Sequence, residues 1–548
     1  MVDFNRLLLS LFCFFVVSVS FGQNRYAVYF KYKPQESYSL NRPSEFLSAA
    51  AVARREKFQI PVDSLDLPLA AKYITEIASK SNKVLYQINW FNAAIVEASP
   101  ENVADITSLP FVEKVVLAAP GGNSSGRISN GFSAKTGASV PLNPGSKTEA
   151  SPYSFQNDLL GIPVMHGEGF KGKGITIAVF DAGFPGVNTI SAFAHLFSNN
   201  QIVATGDFAH IGNTNVYKFN QHGTNSLSLI AANQENLLIS GAPDSKYILG
   251  ITEDVPTEYR IEEYNWVRAA SWADSLGADI ISSSLGYWDF DDPSMDYSKE
   301  DMDGKTATIT KGASVASNKG ILVVTSAGNY GSRGPASIVA PADAAGILAV
   351  GAVTAQLGRA GFSSQGATAD GRFKPDVVAF GNNVQLIRSN GTLGPSSGTS
   401  FSAPQIAALA AGLWEARPDW TKDDLINYIL KSSSQYENPD NLLGYGIPDF
   451  SKAYYGEILS VLTLGKESDF KIYPNPLNGG DLFIQFGKGL TGEFSLFDVS
   501  GKEIQRVEIQ RVSVSQPFEI RLPEIPKGMF LVQMQSGREI KRTKLLKR

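Results

Sequence analysis

The chain has 548 residues, too long for one domain, and two to four is the expectation. Its 43% hydrophobic and 18% charged composition is that of ordinary folded protein. A formal net charge of −5, with no basic patch in the middle of the chain, argues against a nucleic-acid partner, which would need a basic face.

The first residues read MVDFNRLLLSLFCFFVVSVSFGQ. Arg6 precedes an apolar core at 7–19, and small residues lie just before Gln23, so 1–22 reads as a secretory signal. That run is short for a bilayer span and no other long apolar run follows, so an integral membrane protein is not expected. The single cysteine, Cys13, falls inside the signal. The mature chain therefore has no cysteine nucleophile, no cysteine-ligated zinc and no disulfide. Such a secreted chain must rest on a large core, on bound ions, or on both.

Residues 23–118 have the pattern of a small α+β unit. RYAVYFKYK alternates like a strand, PLAAKYITEIASKS is helical, and NAAIVEASPENVADITSLPFVEKVVLA gives strand, helix and strand. Residues 119–152 are rich in Gly, Ser, Asn and Pro, and predict an exposed linker with a processing site. Over 153–456, strand-length apolar runs (GITIAVF, KYILGIT, ADIISSS, GILVVTSAG, GILAVGAV, PDVVAF) alternate with the helical WVRAASWADSLG and TKGASVASNKG. Continuous β-branched runs of this kind belong to strands buried on both faces, so the fold class is α/β, a parallel sheet between helices. Residues 465–548 lose the helical pattern and form short strands, with turns at Ser500-Gly501 and Ser536-Gly537. They predict a small all-β sandwich of roughly seven strands. The terminal GREIKRTKLLKR reads as an exposed basic tail.

The four histidines are His166, His195, His210 and His222, and none stands in a zinc-protease arrangement. His222 lies in NQHGTNSLSLIAA, where Gly223 removes bulk beside the imidazole and a helix begins at once. Asp181 ends the strand GITIAVF, at the carboxyl edge where crevices form in open α/β sheets. A turn aspartate before glycine is the plainer reading, as a turn residue is for Asn329 in VVTSAGNYG. Ser400, in GTSFSAP, precedes Ile406, Leu409, Ala410, Leu413 and Trp414 at helical spacing. Serine is a preferred N-cap and proline is tolerated in a first turn, so Ser400 could simply start that helix.

Together these four supply the parts that acyl transfer needs. A serine hydroxyl requires an imidazole to take its proton, and the imidazole requires a carboxylate to fix its tautomer. An asparagine amide and the N–H groups at a helix N-terminus can stabilise an oxyanion. The acidic stretch DFDDPSMDYSKEDMDGKT, 289–306, could hold a calcium ion through Asp301 and Asp303, a solvated acidic loop being the other reading.

Nine stretches in order, GKGITIAVFDAGF, QHGTNSLSLIA, GAPDSKYILG, ISSSLGYW, VVTSAGNYG, APADAAGILAVGAV, FSSQG, KPDVVAFG and GTSFSAP, make some 300 residues resemble the subtilisin-like serine proteases, the subtilases. The resemblance implies Ser400 as nucleophile, His222 as general base, Asp181 as its orienting carboxylate and Asn329 as oxyanion donor. It also implies that Ser284, Leu285 and Gly286 pair with substrate backbone, with Ser326, Ala327 and Gly328 as a second pocket wall. No cofactor is required by that chemistry. Two departures stand out: Ala182 where the family has Ser or Thr, and Phe380 where it has Pro.

Residues 23–118 resemble a subtilase inhibitory propeptide, and 465–548, with FKIYPNPLNGGDLFI, SLFDVSGKEI and IPKGMFL, resemble the C-terminal sorting domain of the type IX secretion system. The implied protein is a secreted serine endopeptidase made as a self-inhibited precursor. Its partners would be protein or peptide substrates, its own propeptide and the secretion machinery. A non-catalytic binding protein on the same fold, or an esterase or peptide ligase with the same triad, is the alternative. For the last segment the alternative is a carbohydrate- or protein-binding sandwich.

Overall fold

Strict alternation along the first strands gives the N-terminal sheet two different faces. The computed structural model describes residues 23–121, 153–462, 471–485, 491–498, 502–510, 517–536 and 539–547. The expected signal, residues 122–152 of the expected linker, the Ser500-Gly501 turn and Gly537 lie outside these. The chain divides into two units, Met1–Ala453 and Tyr454–Arg548.

In the first unit, β1 (Asn24–Phe30), β2 (Lys83–Ile88), β3 (Ala93–Ala98) and β4 (Val112–Ala119) form an antiparallel sheet in the order β2-β3-β1-β4. Val28, Phe30, Val96 and Val112 bury one face with Ile77 of α2 (Ala71–Lys80) and Ile106 of α3 (Pro100–Thr107). Ala27, Tyr86, Ile88 and Ile95 belong to a different cluster, shared with the large domain. The sheet is thus sandwiched between its own helices and a surface of the following domain.

A helix outside the patterns noted above, α1 (Ala49–Lys57), lies between β1 and α2. Ser48 caps it, its side chain accepting the Ala51 N–H at 3.2 Å, and Arg54, Arg55 and Lys57 fill its last turn.

The large domain begins with the short helices α4 (Ser154–Leu159) and α5 (Ile162–Gly167). Its sheet contains β5 (Thr176–Asp181), β6 (Ile202–Asp207), β9 (Lys246–Ile251), β10 (Ile280–Ser283), β11 (Leu322–Ser326), β12 (Leu348–Val353) and β13 (Val377–Phe380). The order is β13-β12-β11-β10-β5-β9-β6, and every neighbouring pair runs parallel. A short ribbon, β7 (Asn233–Gln234) with β8 (Leu238–Ile239), and a hairpin, β14 (Val384–Ile387) with β15 (Leu393–Ser396), stand outside it.

The helices are α6 (Ala194–Ser198), α7 (His222–Ala231), α8 (Ile261–Leu276), α9 (Thr308–Asn318), α10 (Thr399–Ala416), α11 (Lys422–Ser432) and α12 (Phe450–Leu462). α8 ends at Gly277, whose φ of +90° is the left-handed conformation that glycine adopts without strain. Apolar on nearly all sides, α10 is buried from Thr399 to Trp414.

In the second unit β16 (Lys471–Tyr473), β17 (Asp481–Gln485) and β20 (Phe518–Arg521) form one antiparallel sheet. β18 (Thr491–Phe497), β19 (Glu503–Gln510), β21 (Gly528–Ser536) and β22 (Glu539–Lys547) form the other. Leu482, Ile484 and Ile520 of the first share one core with Phe494, Leu496, Val532 and Leu545 of the second, so the expected sandwich is present. The basic C-terminus is not a free tail: it is β22, an edge strand paired along its length with β21. Closely spaced lysines and arginines keep such an edge from pairing with another chain.

Candidate active site

The carboxyl ends of β5, β10 and β11 and the N-termini of α7 and α10 bring the sequence-derived residues together. Asp181 is the last residue of β5 and fully buried. Its Oδ1 accepts the N–H of Ala182 at 2.8 Å, so the backbone supports the carboxylate where the side chain at 182 carries no hydroxyl. His222 opens α7, and its Nδ1 lies 2.8 Å from Oδ1 and 3.0 Å from Oδ2 of Asp181.

Gly223, next to the imidazole, packs so closely that a Cβ there would meet the Gly183 carbonyl and come within 2.9 Å of the Asp181 Cβ. Only glycine lets α7 approach β5 at this point. Burial lowers the affinity of His222 for a proton, but the charge and hydrogen bond of Asp181, with Glu253 behind, outweigh it and raise its pKa.

Ser400 is the second residue of α10 and 2% exposed. Two expectations about this helix start are corrected. The N-cap is Gly398, without a side-chain cap bond, and Pro404 lies inside the helix rather than in its first turn. Proline has no N–H to give to the carbonyl four residues back, that of Ser400. The Ser284 hydroxyl takes that place, donating to the Ser400 carbonyl at 2.7 Å. Ser400 Oγ in turn donates to the Ser284 carbonyl at 3.2 Å. This reciprocal pair ties the helix start to the end of β10. The imidazole of His222 lies beside α10, its ring 5.5 Å from that of Phe401.

Asn329 follows β11. Its Oδ1 accepts both the N–H and the hydroxyl of Thr399 at 3.0 Å, which turns the amide nitrogen toward Gly398. That nitrogen lies 3.8 Å from where a Gly398 Cβ would sit. Thr399, not singled out in the sequence, thereby orients the amide. Ser284, Leu285 and Gly286 leave β10, while Ser326, Ala327 and Gly328 leave β11. The hydroxyls of Thr325 and Ser326 donate to the Leu285 carbonyl at 3.4 and 3.3 Å and lock the two segments together.

The remaining histidines stand in other company. His166 contacts the Gly241 carbonyl, and His210 bridges Asp207 and Asp254. Asp301 and Asp303 close local turns, accepting from Ser298 and from Lys305 and Thr306.

Among the described residues, the group whose donors could converge on a cation is Glu253, Glu258 and Glu262. Desolvation raises all three carboxyls, Glu253 to about 7, and each charged form would repel the others. Glu253 accepts the hydroxyls of Tyr287 and Thr252, and Glu262 accepts the Asp254 N–H. Each of these carboxyls therefore takes up a proton more readily than a free one. No composition or spacing signal pointed to Glu253, although Tyr287 directly follows the Ser-Leu-Gly segment.

Among the described residues no helix is long and apolar enough to cross a membrane.

Comparison with known sequences gives three family matches. The subtilase family matches residues 172–446, the Bacteroidota form of the peptidase S8 propeptide domain 25–130, and the secretion system C-terminal sorting domain 471–548. Subtilisin amylosacchariticus of Bacillus subtilis subsp. amylosacchariticus is 27% identical over 69% of this chain and 84% of its own. Subtilisin of Bacillus pumilus is 29% identical over 55% of this chain and 97% of its own. The crystal structure of MycP1 from Mycobacterium smegmatis, 22% identical, covers 57% of this chain and 86% of its own with a TM-score of 0.45.

Proposed function

Because the chain belongs to the subtilase family, a secreted serine endopeptidase made as a precursor, we propose that Asp181, His222 and Ser400 are its catalytic triad and Asn329 its oxyanion donor. The observation that carries this reading is the Asp181–His222 pair at 2.8 and 3.0 Å, beside the helix that begins around Ser400. Asp181 holds the Nδ1–H of His222, which leaves Nε2 as the base. Ser400 Oγ attacks the scissile carbonyl carbon while its proton passes to His222. The tetrahedral oxyanion is met by the Asn329 amide, held in place by Thr399, and by the positive end of α10. His222 then gives the proton to the leaving amine, and the C–N bond breaks. Water attacks the Ser400 ester by the same route, releasing the acid and restoring the serine. Ser284, Leu285 and Gly286 pair with substrate backbone as an added strand, and Ser326, Ala327 and Gly328 form the facing wall.

Calcium at Asp301 and Asp303 has little support, because both carboxylates are spent on their own turns. The propeptide acts as an intramolecular inhibitor, and the C-terminal sandwich is read by the export machinery.

The test is intact mass and N-terminal sequence of the chain lacking residues 1–22, beside Ser400→Ala. Wild type is expected to lose its N-terminal segment by cleavage within 119–152, while Ser400→Ala stays whole. Identical fates for the two would contradict a working Ser400.

A further inference from the structure

We propose that Val339 closes the floor of the substrate pocket and restricts cleavage to bonds following a small residue, Ala, Gly or Ser. The inference rests on the reading of 284–286 and 326–328 as substrate-binding walls, and it names the substrate class that those walls admit.

Each wall contributes a glycine, and a glycine between two segments leaves room that a side chain or ligand can enter. Here the same side chain stands in both spaces. A Cβ on Gly286 would collide with Val339 Cγ2. A Cβ on Gly328 would lie 2.9 Å from both Val339 methyls. Val339 itself is 1% exposed. Its isopropyl group therefore fills the gap between the walls at the depth where a long substrate side chain would extend.

The backbone fixes it there. Val339 N–H donates to the Ala327 carbonyl at 3.3 Å, tying it to one wall. Its neighbour Ala340 pairs with Tyr287 on the other, Tyr287 N–H to Ala340 O at 2.8 Å and Ala340 N–H to Tyr287 O at 3.1 Å. The 339–340 segment is thus a crosspiece between the two walls, with a branched side chain that has little rotamer freedom to withdraw.

The experiment compares kcat/KM of the processed enzyme on peptide anilides identical except for Ala, Leu or Phe before the scissile bond. Wild type, Val339→Ala and Val339→Gly are measured, each normalised to serine groups titrated with a sulfonyl fluoride. A pocket stopped one or two carbons deep is expected to favour Ala over Phe by about tenfold or more, the scale of methylene discrimination in apolar pockets. Val339→Gly is expected to raise Phe relative to Ala by a similar factor, and Val339→Ala by less. Val339→Ala, the milder change, keeps the test valid should the glycine variant not fold. Full titration at Ser400 with a wild-type preference for Phe, or with a ratio indifferent to both substitutions, overturns the role of Val339 while leaving the catalytic reading intact. Absence of titratable Ser400 overturns the catalytic reading and the pocket assignment with it.

Discussion

Replacing Asp274 by alanine should loosen the propeptide without touching the active site. α1 docks on the C-terminal end of α8, where Arg54 and Arg55 both pair with Asp274. Arg54 also donates to the Ala278 carbonyl. Arg55 reaches Asp66 at 3.0 Å, and Lys319 of the large domain meets Asp66 and Asp63 at 2.9 and 2.8 Å. Arg54, Arg55 and Asp274 are only 5%, 2% and 1% exposed, so this is a desolvated network spanning the two domains. Removing one partner of such a pair costs about 3–5 kcal/mol, because it strands the other charge. Asp66 still holds Arg55, which argues for the lower end. About 3 kcal/mol corresponds to roughly 150-fold in affinity at 1.4 kcal/mol per decade. The assay is the inhibition constant of residues 23–121, added to processed wild-type and Asp274→Ala enzyme. As a control, Lys72→Ala breaks the exposed Lys72–Glu36 pair and should leave inhibition unchanged. A rise in the inhibition constant of less than about threefold for Asp274→Ala, under ~0.7 kcal/mol, would refute the argument.

Asn329→Ala should lower kcat by about 10²–10³-fold with KM nearly unchanged, as loss of a transition-state donor does; steady-state kinetics showing a raised KM with kcat intact would point to ground-state binding instead. Glu253→Gln should move the acid limb of the kcat/KM profile to lower pH. Ionised Glu253 is one of the charges that raise His222, and its own carboxyl titrates at about 7, so the effect comes from its charged form above that pH. A limb that moves upward, or not at all, would show that Glu253 is not coupled to the imidazole.

The parallel sheet was readable because strands buried on both faces need unbroken apolar runs, as in GITIAVF and GILAVGAV, and these became β5 and β12. The site residues stood out because each sits near a strand end or helix start within two residues of a glycine, a local signature. What failed to show depends on distance along the chain. Pro404 inside α10 is tolerated because Ser284, over a hundred residues earlier, satisfies the carbonyl that proline leaves unpaired. α1 carries only a modest amphipathic pattern, and its two arginines gain meaning from Asp274 and Asp66. Val339 is an ordinary valine in sequence, and only the fold sets it against Gly286 and Gly328. The basic C-terminus reads as a tail because its pairing partner β21 is needed to make it an edge strand.

The most direct test of the central claim is to treat the processed enzyme with a serine-directed sulfonyl fluoride and map the adduct by peptide mass. The account predicts a single adduct at Ser400, slowed by several orders of magnitude in His222→Ala, since the imidazole must take the hydroxyl proton. An adduct at another residue, or labelling of Ser400 at the same rate without His222, would contradict it.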